Sequence, residues 1–107
     1  MKAHNKKEKE DIAFQFAVGL FKALKDHGYS VNQLALEMGV EKSHLQLIAN
    51  GKKNITLSTQ IAISNGLRIS FSEIASYYDS VTDADKKEFK AYQKSQQKLK
   101  GHVKKVQ

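Results

Sequence analysis

Hydrophobic residues recur at helical spacing in six successive segments of the chain, and polar residues separate these segments. In the first segment Ile12, Phe16, Leu20 and Leu24 follow one another at every fourth position, which places them on one face of an α-helix. Similar stripes predict helices over residues 8–27, 31–38, 42–50, 57–65, 71–80 and 83–100. Because β-branched residues do not alternate with polar ones and proline is absent, we predict an all-α fold.

Glycines and hydroxyl residues mark the predicted helix ends. A glycine follows each of five stripes, as expected for a helix C-terminus, at Gly28, Gly39, Gly51, Gly66 and Gly101. Residues suited to cap a helix N-terminus stand at Ser30, Thr56, Ser70 and Thr82, and Gln33 and Glu73 would complete two capping boxes. We expect one core from the first five helices, including Leu34, Met38, Val40, Leu45, Ile48, Leu57, Ile61, Phe71 and Ile74.

A single tight turn separates the second and third predicted helices. Gly39 ends the second helix, and Ala35 is the small residue at the point where the two helices would cross. Leu45 and Ile48 form the buried stripe of the third helix, which leaves its other face polar. This arrangement is typical of a helix-turn-helix motif, whose second helix enters the major groove of DNA.

The same region resembles the phage lambda repressor-like (Xre-type) helix-turn-helix family. In that family the third helix ends with a polar residue, a glycine and a basic pair, which here are Asn50, Gly51, Lys52 and Lys53. The resemblance extends over roughly residues 12–78 and implies a five-helix DNA-binding domain, followed here by an additional C-terminal helix or tail. Val31 stands where the family usually has a glutamine that contacts phosphate.

The polar face of the third predicted helix is the candidate site for reading DNA. It carries Lys42, Ser43, His44 and Gln46. Lysine can bond to guanine, glutamine to adenine, and serine to a base edge or a phosphate. Contacts to the DNA backbone are predicted nearby, from Asn50, Lys52, Lys53, Asn54, Asn32 and Gln33. The competing interpretation is that these are ordinary solvent-facing residues of an exposed helix.

The net charge of +7 favours an anionic partner, but it is unevenly distributed. Residues 83–107 carry eight lysines and three acidic residues, a net charge of +5, so only +2 remains for the rest. We therefore divide the chain into a helix-turn-helix domain over 1–81 and a basic C-terminal helix or tail over 82–107. Two interpretations of this tail stay open. It packs Phe89 and Tyr92 against the domain, or it pairs with its copy or lays its lysines along phosphates.

Aromatic residues near the end of the fifth helix and in the tail are candidates for a dimer interface. They are Phe71, Tyr77, Tyr78, Phe89 and Tyr92. In repressors of the lambda repressor-like family the region after the fourth helix often forms the dimer contact, so the resemblance implies a homodimer. The competing interpretation is that these side chains belong to the core.

No pattern in the sequence indicates catalysis. The four histidines are far apart, and the side chains of Ser43 and His44 would point about 100° apart as neighbours on a helix. We predict neither an enzyme nor a metal site or cofactor. With no cysteine and no apolar run of bilayer-spanning length, the sequence suits a cytoplasmic protein without a membrane partner.

We therefore predict a regulator of transcription, acting as a repressor, that binds double-stranded DNA sequence-specifically as a homodimer. Two alternatives stay open. One is an antitoxin whose toxin partner binds the tail that starts at Thr82. The other is a protein-interaction module that has kept this fold and lost DNA binding, which the nearly neutral domain allows.

Overall fold

The computed structural model describes residues 5–106, with side chains described as far as residue 97. Within that part of the chain there are six helices and no strand. They are α1 (Lys6–His27), α2 (Val31–Met38), α3 (Lys42–Ala49), α4 (Leu57–Leu67), α5 (Phe71–Asp79) and α6 (Asp83–Val106). The all-α fold class is confirmed, as is the helix that follows the five-helix domain.

Local hydrogen bonds at the helix ends match several of the predicted caps. The backbone N–H of Gln33 donates to Ser30 Oγ at 3.1 Å, and the N–H of Ser30 donates to Gln33 Oε1 at 2.8 Å. Gly39 has a φ of 68°, the left-handed conformation expected after α2. α1 begins two residues earlier than predicted, because Asn5 and Glu8 form a further capping box.

Two glycines that were predicted to end helices do not do so. Gly66 lies inside α4, and Arg68 adopts the left-handed conformation at the end of that helix, with a φ of 62°. A Cβ on Gly66 would lie 2.9 Å from Leu34 Cδ1 and 3.0 Å from Met38 Cγ, so the missing side chain serves the packing of α4 on α2. Gly101 lies within α6, which continues to Val106.

The second predicted capping box is only half formed. The N–H of Glu73 donates to Ser70 Oγ at 3.0 Å, as predicted. The carboxylate of Glu73 lies 3.1 Å from His27 Nε2 instead of returning to the backbone of Ser70. Since α5 packs on α1, the end of α1 offers Glu73 a partner from another helix.

The main core is formed by apolar residues of the first five helices. Its buried members are Phe16, Leu20, Ala23, Leu24, Leu34, Ala35, Leu45, Ile48, Ile63, Leu67 and Ile74. Four predicted core residues are instead substantially exposed, namely Val40, Leu57, Ile61 and Phe71. Leu57 and Ile61 lie one turn apart at the start of α4, whereas the buried face of that helix is further along, at Ile63 and Leu67.

α6 packs on α1 through aromatic residues. Phe89 is only 2% exposed, and its ring centroid lies 5.6 Å from that of Phe14 and 5.5 Å from that of Phe21. The ring of Tyr92 lies 5.0 Å from that of Phe21. These contacts are those expected by the first interpretation of the tail. No helix in the described part of the chain combines the length and the hydropathy needed to cross a bilayer.

Candidate nucleic-acid interface

α3 is held in place by the apolar stripe that the sequence predicted. Leu45 is fully buried, Ile48 is 2% exposed, and Ala35 of α2 is 3% exposed. The small side chain of Ala35 lets α2 and α3 approach closely. The opposite side of α3 carries the exposed polar residues Lys42 and Ser43, together with Leu47, which is 48% exposed.

A cleft of about 340 Å³ lies between α3 and apolar residues of α1 and α6, namely Phe21, Leu24 and Phe89. Lys42 and Gln46 of α3, and Asn50 just after it, line it together with Asn32 of α2. Positions 42, 46 and 50 share one face because they are four residues apart on a helix. Four residues that were predicted to contact DNA are therefore brought together around one concave surface.

A second hollow, of about 320 Å³, continues from Gln46 and Asn50 towards the loop of Lys52, Lys53 and Asn54, here called the basic loop. Lys52 lies on its edge. Its opposite wall is formed by one face of α6, with Tyr92, Gln93, Gln96 and Gln97. α6 therefore lies alongside the second half of α3.

The basic loop folds back onto α3. Lys53 Nζ lies 3.2 Å from His44 Nδ1. A lysine ammonium can only donate, so Lys53 is the donor and His44 Nδ1 the acceptor in this hydrogen bond. His44 and Lys53, predicted as separate contacts, thus form a hydrogen-bonded pair.

Three other residues that were predicted to contact DNA line neither the cleft nor the second hollow. The Oε1 atom of Gln33 is engaged in the cap of α2. Asn54 lines a different hollow, together with Phe16 and Tyr78. Ser43 is exposed in the first turn of α3. The contacts of these three residues with DNA, like those of the other predicted residues, remain predictions.

A family profile described as helix-turn-helix matches residues 20–74, just over half of the chain. The chain belongs to the lambda repressor-like helix-turn-helix family. The family is one of DNA-binding regulators. The matched segment runs from the middle of α1 to α5 and includes α2, α3 and the basic loop, whereas α6 lies beyond it. A search of curated proteins finds no match.

The cleft of this helix-turn-helix domain also contains residues that sequence reasoning missed. Lys25 of α1 and Tyr29, just before α2, line it. A hydrogen bond and the negative charge of Glu88 raise the pKa of Lys25, which therefore stays positively charged. No signal along the chain indicated Lys25, because its position beside α3 depends on how α1 packs.

The aromatic residues predicted for a dimer interface lie in different environments. Phe71 is 40% exposed and Tyr92 is 44% exposed, but the side chain of Phe89 is enclosed within its own chain. Tyr77 donates a hydrogen bond to Asp26 at 2.8 Å. Burial, and then this bond, raises the pKa of Tyr77 to about 12. Tyr78 packs against the main core. An interface using the exposed members remains a prediction.

Proposed function

We propose that this protein is a transcription regulator whose α3 enters the major groove and reads the DNA sequence. The observation that carries the proposal is that Lys42 and Gln46 of α3, and Asn50 just after it, line one cleft, whereas Leu45 and Ile48 of the same helix are buried in the core. A helix whose inner face is fixed by the core can present its polar residues to base edges in a defined orientation.

The polar residues have two roles in this proposal. Lys42 and Gln46 lie on the face that enters the groove and contact base edges, because lysine and glutamine can bond guanine and adenine there. Lys52, Lys53 and Asn32 contact phosphates, which position the domain without reading sequence. The first role gives specificity, and the second gives most of the dependence on salt.

The regulator acts as a homodimer and represses by occupying its operator. One domain of this size makes few base contacts, so a single half-site gives limited affinity. Two copies related by a two-fold axis would place their α3 helices about 34 Å apart, one turn of the duplex. The exposed ring of Phe71 is available for the contact between copies.

A salt titration with two charge-matched variants tests the proposal. We expect Lys53→Ala to weaken binding to all duplex sequences alike and to reduce the slope of log affinity against log salt by about 1. Arg68→Asn is the control, since it removes one positive charge at the end of α4 and asparagine tolerates the left-handed conformation found there. Fluorescence anisotropy of labelled duplexes at several KCl concentrations gives both quantities.

The titration also separates the proposed regulator from a protein-interaction module. Equal losses of affinity for Lys53→Ala and Arg68→Asn would mean that Lys53 contributes no more to DNA binding than a positive charge elsewhere on the domain. An absence of salt-dependent binding by the unaltered chain would contradict a DNA-binding function altogether.

A further inference from the structure

The first turns of α6 are fixed to α1 by ion pairs as well as by aromatic packing. Lys22 Nζ lies 2.9 Å from Asp85 Oδ2, and Lys25 Nζ lies 2.8 Å from Glu88 Oε1. One turn of helix therefore carries two ion pairs and the buried ring of Phe89. The direction in which α6 leaves the domain is set by these contacts.

This direction carries the next turns of α6 past the face of α3 that is proposed to bind DNA. Gln93 Nε2 donates to the backbone oxygen of Asn50 at 3.4 Å. Gln96 and Gln97 line a hollow whose other wall includes Gln46 and Lys52. A duplex that contacted Gln46 and Lys52 would thus lie next to the face of α6 that carries Gln93, Gln96 and Gln97, here called the glutamine face.

The charges of α6 are segregated along the helix. Its three acidic residues all precede Phe89, and two of them are paired with lysines of α1. Residues 89–107 contain six lysines and no acidic residue. A segment that covered the reading face in place of DNA would be expected to carry negative charge, so this composition favours contact with a polyanion over occlusion of the site.

We infer that α6, beyond its anchor on α1, is a second DNA-binding element that contacts the phosphate backbone of the duplex bound by α3. The inference rests on the proposed function of α3. Gln96 and Gln97 donate amide hydrogen bonds to phosphate oxygens, and the six lysines of residues 89–107 give this part of the sequence the positive charge that attracts DNA. The DNA footprint therefore extends beyond the helix-turn-helix itself.

Two double variants with the same change in charge test this inference. Gln96→Glu with Gln97→Glu places two carboxylates on the wall of the hollow. Ala91→Glu with Ser95→Glu places two on another exposed face of the same helix, because each residue turns the helix by about 100°. Any difference in DNA affinity between the two variants then reflects where the carboxylates lie on α6, because the net charge of the two variants is the same.

The probe is a labelled duplex of about 30 base pairs of mixed sequence, since phosphate contacts do not depend on sequence. We expect the pair at 96 and 97 to weaken binding about tenfold more than the pair at 91 and 95. Thermal melting of each variant checks that the fold is kept. If the glutamates lowered the melting temperature, Gln96→Ala with Gln97→Ala would remove the donors while keeping good helix formers, and a loss of about threefold is expected.

Equal weakening by the two double variants would overturn the inference, because position on α6 would then not matter. Tighter binding by the pair at 96 and 97 would also overturn it and would indicate that α6 hinders access. Lys53→Ala in the same titration separates the two proposals. If only Lys53→Ala weakens binding, the role of α6 alone is wrong. If neither change does, or the unaltered chain does not bind, the proposed function of α3 fails together with it.

Discussion

At the scale of single residues, the missing side chain of Gly66 allows α4 to lie against α2. A Cβ there would meet Leu34, which is fully buried and has little space to move. We expect Gly66→Ala to lower the free energy of unfolding by about 1–2 kcal/mol, because overpacking outweighs the roughly 1 kcal/mol by which alanine favours a helix over glycine. Chemical denaturation measures this quantity.

The neighbouring Asn65→Ala is the control for that substitution. Asn65 is exposed on the same helix, and alanine favours helix more than asparagine does, so its effect is expected to be small or stabilising. Equal stability of the two alanine variants would mean that the close approach at Gly66 does not restrain the packing.

The residue roles that the sequence predicted correctly are those decided within one turn of helix. The cap formed by Ser30 and Gln33 and the left-handed Gly39 depend on neighbours three or four positions away. Gly66 was predicted to end a helix because it follows an apolar stripe. Its close approach to Leu34, which is distant in the sequence, could not be predicted in this way. Glu73 likewise fits a capping box in the sequence, but its carboxylate pairs with His27 of another helix.

At the scale of helices, the ion pair between Lys22 and Asp85 makes the docking of α6 sensitive to acid. The hydrogen bond from Lys22, and then the backbone N–H of Thr82, holds the pKa of Asp85 below its usual value of 3.8. A carboxyl group whose pKa is lowered by folding makes its full contribution to stability at pH values above the pKa that it has in the unfolded chain. This contribution is lost as the pH falls through the lower folded value.

We expect the difference in melting temperature between the unaltered chain and Asp85→Asn to be largest near neutral pH and to shrink below about pH 4. Thermal melts followed by circular dichroism from about pH 7 to about pH 2.5 measure it. Asp83→Asn, in the same exposed first turn, removes an equal charge and serves as the control. A difference for Asp85→Asn that stayed constant down to the lowest pH would show that the carboxylate does not act through this pair.

The number of helices and most of their bounds could be predicted because apolar spacing and caps are local features. The position of α6 could not. Phe89 and Tyr92 were recognised as residues that could pack on the domain, but nothing in the spacing showed that they meet Phe14 and Phe21. That packing places Gln93 beside Asn50 and thereby adds a wall to the candidate site.

At the scale of the whole molecule, the polar face of α3 and the glutamine face of α6 border one concave surface. The sequence predicted the α3 side of this surface, since Lys42, Gln46 and Asn50 follow helical spacing within one segment. The other side depends on contacts between α1 and α6, which are about 60 residues apart in the chain. A homodimer would present two such surfaces to one duplex.

Selection from a random pool of duplexes tests most directly whether α3 reads DNA sequence as part of a symmetric pair. The full chain and Gln46→Ala are put through the same selection, and the recovered sequences are compared. We expect the full chain to enrich an inverted repeat whose half-sites lie about one duplex turn apart. Gln46→Ala is expected to enrich the same repeat with the preference for one base pair lost in each half-site. Recovery of no common sequence by the full chain, or of identical preferences by both proteins, would contradict this proposal.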